Sequence, residues 1–302
     1  MRTVRQVWLG VITGLAALVI VIIAATWFAA GKLSEPMPHN IGRPPLDLEA
    51  SNVTMVSSAG HLVHGWLAHG VADHGVILLL HGLSADRRAM VPRAEYLHKL
   101  GYTVLMIDFQ ANGETRGANQ TFGELESRDV AAAIQYLHYK LPDERLGILG
   151  VSLGAAAFVL ADDREHVDAV VLDSIYPTLK EAIAERVRSH IGPLAAMVTP
   201  LLYVEAKSRL PLNPEQLRPI DKVGHLQAAV LVICGARDPV TTPAECQHVF
   251  AAASSPKQLW QVQTAGHVDL YNFAPQEYER RTAAFFAQYL PQESGAPAAP
   301  TR

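Results

Sequence analysis

Cysteine is almost missing from this 302-residue chain, which has only Cys234 and Cys246. Two thiols exclude a disulfide-dense scaffold and a four-cysteine zinc site. Charge is scarce as well: Asp, Glu, Lys and Arg make up 18% of the chain, below the roughly 25% of an average soluble domain. Lys and Arg number 25 against 29 Asp and Glu, a formal charge of −4, so no nucleic-acid partner is expected. There is no H-E-x-x-H motif, and the loops after the strands carry no dinucleotide fingerprint. Neither a metal nor a nucleotide cofactor is expected. What is plentiful is apolar residue, 49% of the chain. That excludes a mainly disordered protein and suffices for a large core.

The charge is missing mostly in one place. Residues 7–30 contain no Asp, Glu, Lys or Arg, and about 20 apolar residues suffice to cross a bilayer. Trp8 and Trp27 would stand about 28 Å apart along a helix rising about 1.5 Å per residue, one near each interface. A cleaved secretory signal is the rival, with Arg2 and Arg5 in residues 1–6 as its basic start and Ala29-Ala30-Gly31 as a loose cleavage site. The apolar part of such signals runs only about 7–15 residues, which favours an anchor. The slight basic excess before the span puts the N-terminus in the cytoplasm and the body outside it. Residues 31–50 hold four prolines and suggest a stalk. Residues 291–302, PQESGAPAAPTR, have the composition of a disordered tail.

Between stalk and tail the pattern alternates. Asn52–Ser57 and Leu62–Ala68 form a predicted hairpin. Val76–Leu80, Val104–Ile107, Leu146–Leu149, Val167–Leu172 and Val230–Cys234 are apolar runs suited to parallel strands buried on both faces, with Gln258–Val262 last. Helical patterns over Arg88–Leu100, Glu124–Lys140, Ser152–Leu160, Pro243–Ala252 and Pro275–Tyr289 separate them. The order predicts an α/β domain over residues 51–290, a mostly parallel sheet with helices on both faces. Cys234 is expected to be a small core residue of its strand. Between Asp173 and Val230 the chain runs far beyond the usual loop length. Residues 176–224 of it are expected to form a small helical cap, part of whose apolar surface (Ile183, Val187, Leu194, Met197, Leu201 and Leu202) faces an acyl-binding cleft, with Met197 or Leu201 reading the acyl chain.

The chemistry gathers at strand ends. Gly150-Val151-Ser152-Leu153-Gly154 joins a strand to an alanine-rich helix, the setting of a nucleophilic serine on a tight turn. The free N–H groups of a helix start suit a developing oxyanion. Asp238 then follows the strand Val230–Cys234, and His267 follows the next one. Ser152, Asp238 and His267 thus occur in the chain order of a nucleophile–acid–base set. Asp173 and Asp269 are the rival acids, less well placed. His81-Gly82-Leu83, after Val76–Leu80, is positioned to supply the second oxyanion donor. Leu83 and Leu153 are the candidate N–H donors. His81 is expected to brace its loop, and Arg87 to be structural rather than to grip a substrate carboxylate.

These residues carry a resemblance. The H-G-x loop at His81-Gly82-Leu83, the elbow at Gly150–Gly154, Asp238 after Gly235-Ala236-Arg237, and Gly266-His267 resemble the α/β-hydrolase superfamily. In particular they resemble its BEM46-like and dipeptidyl-aminopeptidase/acylaminoacyl-peptidase-like groups. Thr121-Phe122-Gly123 with Glu126 and Asp129 fits the same pattern. The resemblance covers about residues 52–290 and implies an α/β-hydrolase fold with a cap. It also implies hydrolysis of an ester, thioester or amide through an acyl-enzyme. Carboxylic ester cleavage of a small-molecule or lipid-like acyl substrate is the leading expectation; peptidase or thioesterase activity, or a non-catalytic binding role, are the alternatives. Where relatives carry R-G-x-G-x-S, this chain has Gln110-Ala111-Asn112-Gly113-Glu114-Thr115, and altered pocket contacts are expected there.

Overall fold

The computed structural model describes residues 4–290 apart from positions 163, 165 and 210–213. The tail expected at 291–302 and the first three residues of the basic start lie outside this range. Eight strands form the central sheet: β1 Ser51–Val56, β2 Leu62–Ala68, β3 Val76–Leu80, β4 Thr103–Ile107, β5 Leu146–Val151, β6 Ala169–Asp173, β7 Ala229–Gly235 and β8 Lys257–Val262. Their spatial order is β8-β7-β6-β5-β3-β4-β2-β1. β1 and β2 make the antiparallel hairpin, β2 pairs antiparallel with β4, and every other pairing is parallel.

The all-apolar strands follow from burial on both faces. In β3, Val76, Leu78 and Leu80 pack into one core layer while Ile77 and Leu79 pack into the other. The first layer is closed by α3 Glu124–Lys140, α4 Leu153–Leu160 and α8 Pro243–Ala252. The second is closed by α2 Val91–Lys99 and α10 Pro275–Tyr289, with Leu97, Tyr278 and Phe286 at its centre. All parallel strands therefore point their C-terminal ends the same way, which gathers the loops after β3, β5, β7 and β8 at one edge.

Cys234 is buried as expected, but not as a lone small residue. It forms a disulfide with Cys246, with Cα atoms 6.4 Å apart. Pro243 opens α8, and Thr242 and Glu245 cap it reciprocally. That start lays the helix back over β7 and brings the second sulfur above the first.

Two N-terminal expectations change. The first helix, α1 Val4–Ser34, continues past residue 30 into the segment expected to be a stalk. Its stretch Gln6–Ser34 is long and apolar enough to cross a membrane, its most apolar part reaching a mean hydropathy of 2.7. Residues 35–50 are not a free spacer. Met37–Pro38 pairs in parallel with Asn112–Gly113, and Ile41 and Leu48 are core residues. The prolines stop the helix but leave extended backbone, so the N–H groups of Met37 and His39 donate to Ala111 and Gly113 carbonyls.

The long segment between β6 and β7 holds α5 Leu179–Ile191, α6 Ala195–Arg209 and α7 Pro219–Val223. α6 packs against α1. The face of α1 turned inward is Ile22, Thr26, Ala30 and Ser34, a four-residue repeat of mostly small side chains that lets two helices approach closely.

Candidate active site

The elbow is built as its glycines require. A Cβ on Gly154 would lie 2.4 Å from the Leu80 carbonyl oxygen, and one on Gly150 would lie 2.6 Å from the Ala155 nitrogen. Only glycine lets α4 start so close to β3 and β5. Ser152 itself sits at φ 50° and ψ −107°, a conformation that costs a non-glycine residue on the order of 1–3 kcal/mol. Its N–H donates to the Asp173 carbonyl at 2.7 Å, and its carbonyl accepts from Ala156 at 3.0 Å. The strained turn is thereby held from both sides.

The loop after β3 reaches the same point. A Cβ on Gly82 would lie 3.9 Å from that of Ser152, so Leu83 stands beside the elbow. Among the described residues, no backbone acceptor outside helix or strand pairing takes the N–H of Leu83 or Leu153. His81 braces this loop. It is fully buried, the Phe109 N–H donates to its Nε2 at 3.1 Å, and its Nδ1 is 2.7 Å from the Gly82 carbonyl. A ring nitrogen that accepts at Nε2 must carry its proton on Nδ1, so His81 is neutral. Burial lowers its pKa to about 4.

The other two strand-end residues meet each other. Nδ1 of His267 lies 2.9 Å from Oδ2 of Asp238. The second oxygen of Asp238 accepts from Val240 and Thr241 N–H groups at 2.7 and 2.9 Å. The carboxylate is buried and fully engaged, with one oxygen aimed at the imidazole. Nδ1–H donation to Asp238 leaves Nε2 of His267 as an open base.

Neither rival acid touches His267. Asp173 accepts hydroxyl hydrogen bonds from Tyr278 and Ser174, each at 2.9 Å, and Arg93 stands 3.5 Å away. Burial raises its pKa, and Arg93 offsets part of that. Asp269 caps α9 Leu270–Phe273 and pairs with Arg93 at 2.7 Å. Arg93 and Tyr278 thus tie the His267 loop to the end of β6, a connection the sequence reading missed. The available signal was a charge on the buried stripe of α2, since Arg93 is four residues before Leu97.

Arg87 is structural, as expected. It is buried between Asp108, at 2.7 Å, and Glu114, and its guanidinium lies 4.7 Å above the Trp66 ring. The divergent loop at 110–115 is not a pocket wall. Gln110 and Asn112 are buried; Gln110 donates to Glu126 at 2.8 Å, and its own N–H donates to Asp129. These polar substitutions are absorbed by a buried network behind the site, which is where Glu126 and Asp129 act.

Ser152, Leu83 and Leu153 share one cavity. It encloses about 890 Å³ between protein atoms, counting the part open to solvent. Its remaining walls are largely apolar and come from the cap, from α1, and from Phe122 and Val240. Among the cap residues that face it are Leu179, Ile183, Val187 and Leu202, with Arg186 the one charged side chain in the lining. Met197 and Leu201 do not face it. Met197 is 76% exposed on the far side of α6, because α6 turns Leu202 inward and Met197 and Val204 outward, with Leu201 half-buried between them.

Comparison with known proteins agrees with this architecture. The family described as alpha/beta hydrolase fold matches residues 75–193. The chain is 25% identical to the uncharacterized protein YfhR of Salmonella typhi over 254 residues, 78% of this chain and 80% of that one. It is 28% identical to the uncharacterized protein Rv2307c of Mycobacterium tuberculosis over 222 residues, 72% of each. Among solved structures, the Pyrococcus furiosus esterase Pf2001 superposes with a TM-score of 0.71 at 24% identity, covering 85% of this chain and 98% of that one. An esterase of Exiguobacterium antarcticum gives 0.59 at 13% identity, covering 78% and 100%. The chain has the α/β-hydrolase fold, and the family model and the structural likenesses support a place in that superfamily.

Proposed function

We propose that this protein is a membrane-attached serine hydrolase that cleaves carboxylic esters. Ser152 Oγ attacks the acyl carbonyl, and His267 Nε2 takes its proton. Asp238 holds the imidazole tautomer and stabilises the imidazolium. The N–H groups of Leu83 and Leu153 receive the oxyanion. His267 then protonates the leaving alcohol, and water, deprotonated by the same nitrogen, releases the acid from Ser152. The observation that carries this reading is the strained elbow serine beside a cavity, with the Asp238–His267 pair in the loops after β7 and β8. The apolar walls favour an acyl ester over a peptide, and the esterases among the structural neighbours support the same choice.

We place α1 across the membrane and the body on the extracytoplasmic side. The Cys234–Cys246 disulfide supports this, because such bonds persist in oxidising compartments. The test is turnover of a p-nitrophenyl ester panel by the full chain, with Ser152→Ala and His267→Ala as controls. Loss of about 10⁴-fold or more in each is expected for members of a triad. Turnover that survives Ser152→Ala would overturn the assignment.

A further inference from the structure

The cavity beside Ser152 is completed by the N-terminal helix. Ala30, Leu33 and Ser34 of α1 line it together with Ile183 and Leu202 of the cap. Ser34 turns its hydroxyl back to the Ala30 carbonyl at 3.1 Å, so it offers the cavity a hydrocarbon surface. The helix that would cross the bilayer is thus one wall of the space that holds the acyl group.

Three contacts hold α1 in that position. The Thr26 hydroxyl donates to Glu205 of α6 at 2.8 Å, in a buried setting. The Gln120 backbone N–H donates to the Ser34 carbonyl at 2.9 Å, and its side chain donates to the Glu35 carbonyl at 2.7 Å. The same Gln120 side chain accepts the Ser84 N–H at 2.8 Å. One buried glutamine therefore joins the end of the membrane helix to the loop carrying Leu83. Next to this junction the cap is apolar on its outside: Leu194, Met197 and Val204 are each more than 60% exposed. Continuity with α1 identifies what covers that surface, since the helix packed against α6 turns Trp27, Phe28 and a run of exposed Val, Ile and Leu side chains outward.

We infer that α5 and α6 rest in the bilayer surface beside α1, and that the cavity between them is an acyl channel. A single-chain lipid ester enters it laterally from the membrane. Ala30 and Leu33 of α1 with Leu179, Ile183 and Leu202 of the cap give this space a hydrocarbon lining, which suits an acyl chain rather than a polar headgroup. The inference rests on the ester hydrolase reading for its chemistry but not for its binding site.

The experiment uses the full chain in lipid nanodiscs. Ala30→Trp places an indole in the channel, and Ala29→Trp places one on the outward face at the same depth. The ratio of kcat/KM for a palmitoyl ester to that for an acetyl ester should fall at least about tenfold in Ala30→Trp, and should stay within about twofold of wild type in Ala29→Trp. In parallel, Ser152→Ala protein is irradiated with a lysophosphatidylcholine bearing a diazirine at the end of its chain. Adducts are expected at residues 30–34 and 183–187, and Ala30→Trp should suppress them. Labelling confined to the outward face of α1, with an unchanged ester ratio, would overturn the channel while leaving Ser152-dependent hydrolysis intact. Adducts at the channel without any ester turnover would support the channel and reject the hydrolase assignment.

Discussion

Asp238 presents Oδ2 to Nδ1 of His267 at 2.9 Å, while its other oxygen is held by the N–H groups of Val240 and Thr241. Asp238→Asn keeps the shape but replaces an acceptor by an amide that can force the wrong imidazole tautomer. It should lower kcat by orders of magnitude with little change in Tm. Asp173→Asn should do the reverse. It weakens a buried partner of Arg93 and Tyr278, so it should lower Tm more than it lowers kcat. Measuring both quantities on both variants decides between them; a larger kcat loss at Asp173 would reassign the acid.

Leu202 faces the cavity and Met197 faces away from it. Leu202→Phe should therefore shorten the acyl chain preferred in an ester series, by about 1–3 kcal/mol at the affected length. Met197→Gln should move that preference by less than twofold in rate ratio, or about 0.4 kcal/mol. Equal effects from the two substitutions would mean that α6 turns differently in the working enzyme.

His81 makes stability depend on acidity. Its folded pKa is about 4, below the ordinary value near 6.5, because burial opposes the charge. Between these values the unfolded chain binds more protons, so stability is full above about pH 6.5 and is lost as pH falls toward 4. The loss amounts to about 3 kcal/mol for this one group. Wild type should therefore lose more Tm between pH 7 and pH 4.5 than His81→Asn does. Parallel curves would show that His81 titrates normally.

The disulfide closes a short loop, with a sequence separation of 12 between Cys234 and Cys246. Constraining such a loop in the unfolded chain contributes about 2–4 kcal/mol. Cys246→Ser should lower Tm accordingly, and a reductant should lower wild-type Tm but not that of the variant. An identical response of both proteins to reductant would show that the bond does not form.

Much of the fold was legible because it rests on local rules. Helices Glu124–Lys140, Pro243–Ala252 and Pro275–Tyr289 match the sequence reading residue for residue, since caps, prolines and apolar periodicity mark their ends. The fully apolar strands announced a sheet buried on both faces. The Gly-x-Ser-x-Gly turn was legible for a similar reason: a close approach of three elements excludes any side chain at Gly150 and Gly154.

What the sequence by itself determined, then, is the α/β order, the elbow, and which residues end which strands. It paired Asp238 with His267 by their order in the chain, but it did not determine the contacts that support them. That Arg93 reaches both Asp173 and Asp269, that Cys246 lands on Cys234, and that Leu202 rather than Met197 turns inward all depend on how separate elements meet. The N-terminal helix is the clearest instance. Its apolar length is written in consecutive residues, but its place beside Ser152 comes from Thr26 meeting Glu205 and Ser34 meeting Gln120. Those pairs lie 179 and 86 residues apart in the chain, and no local periodicity or spacing can encode a contact at that range; only the packing of α1 onto the folded cap and body creates it.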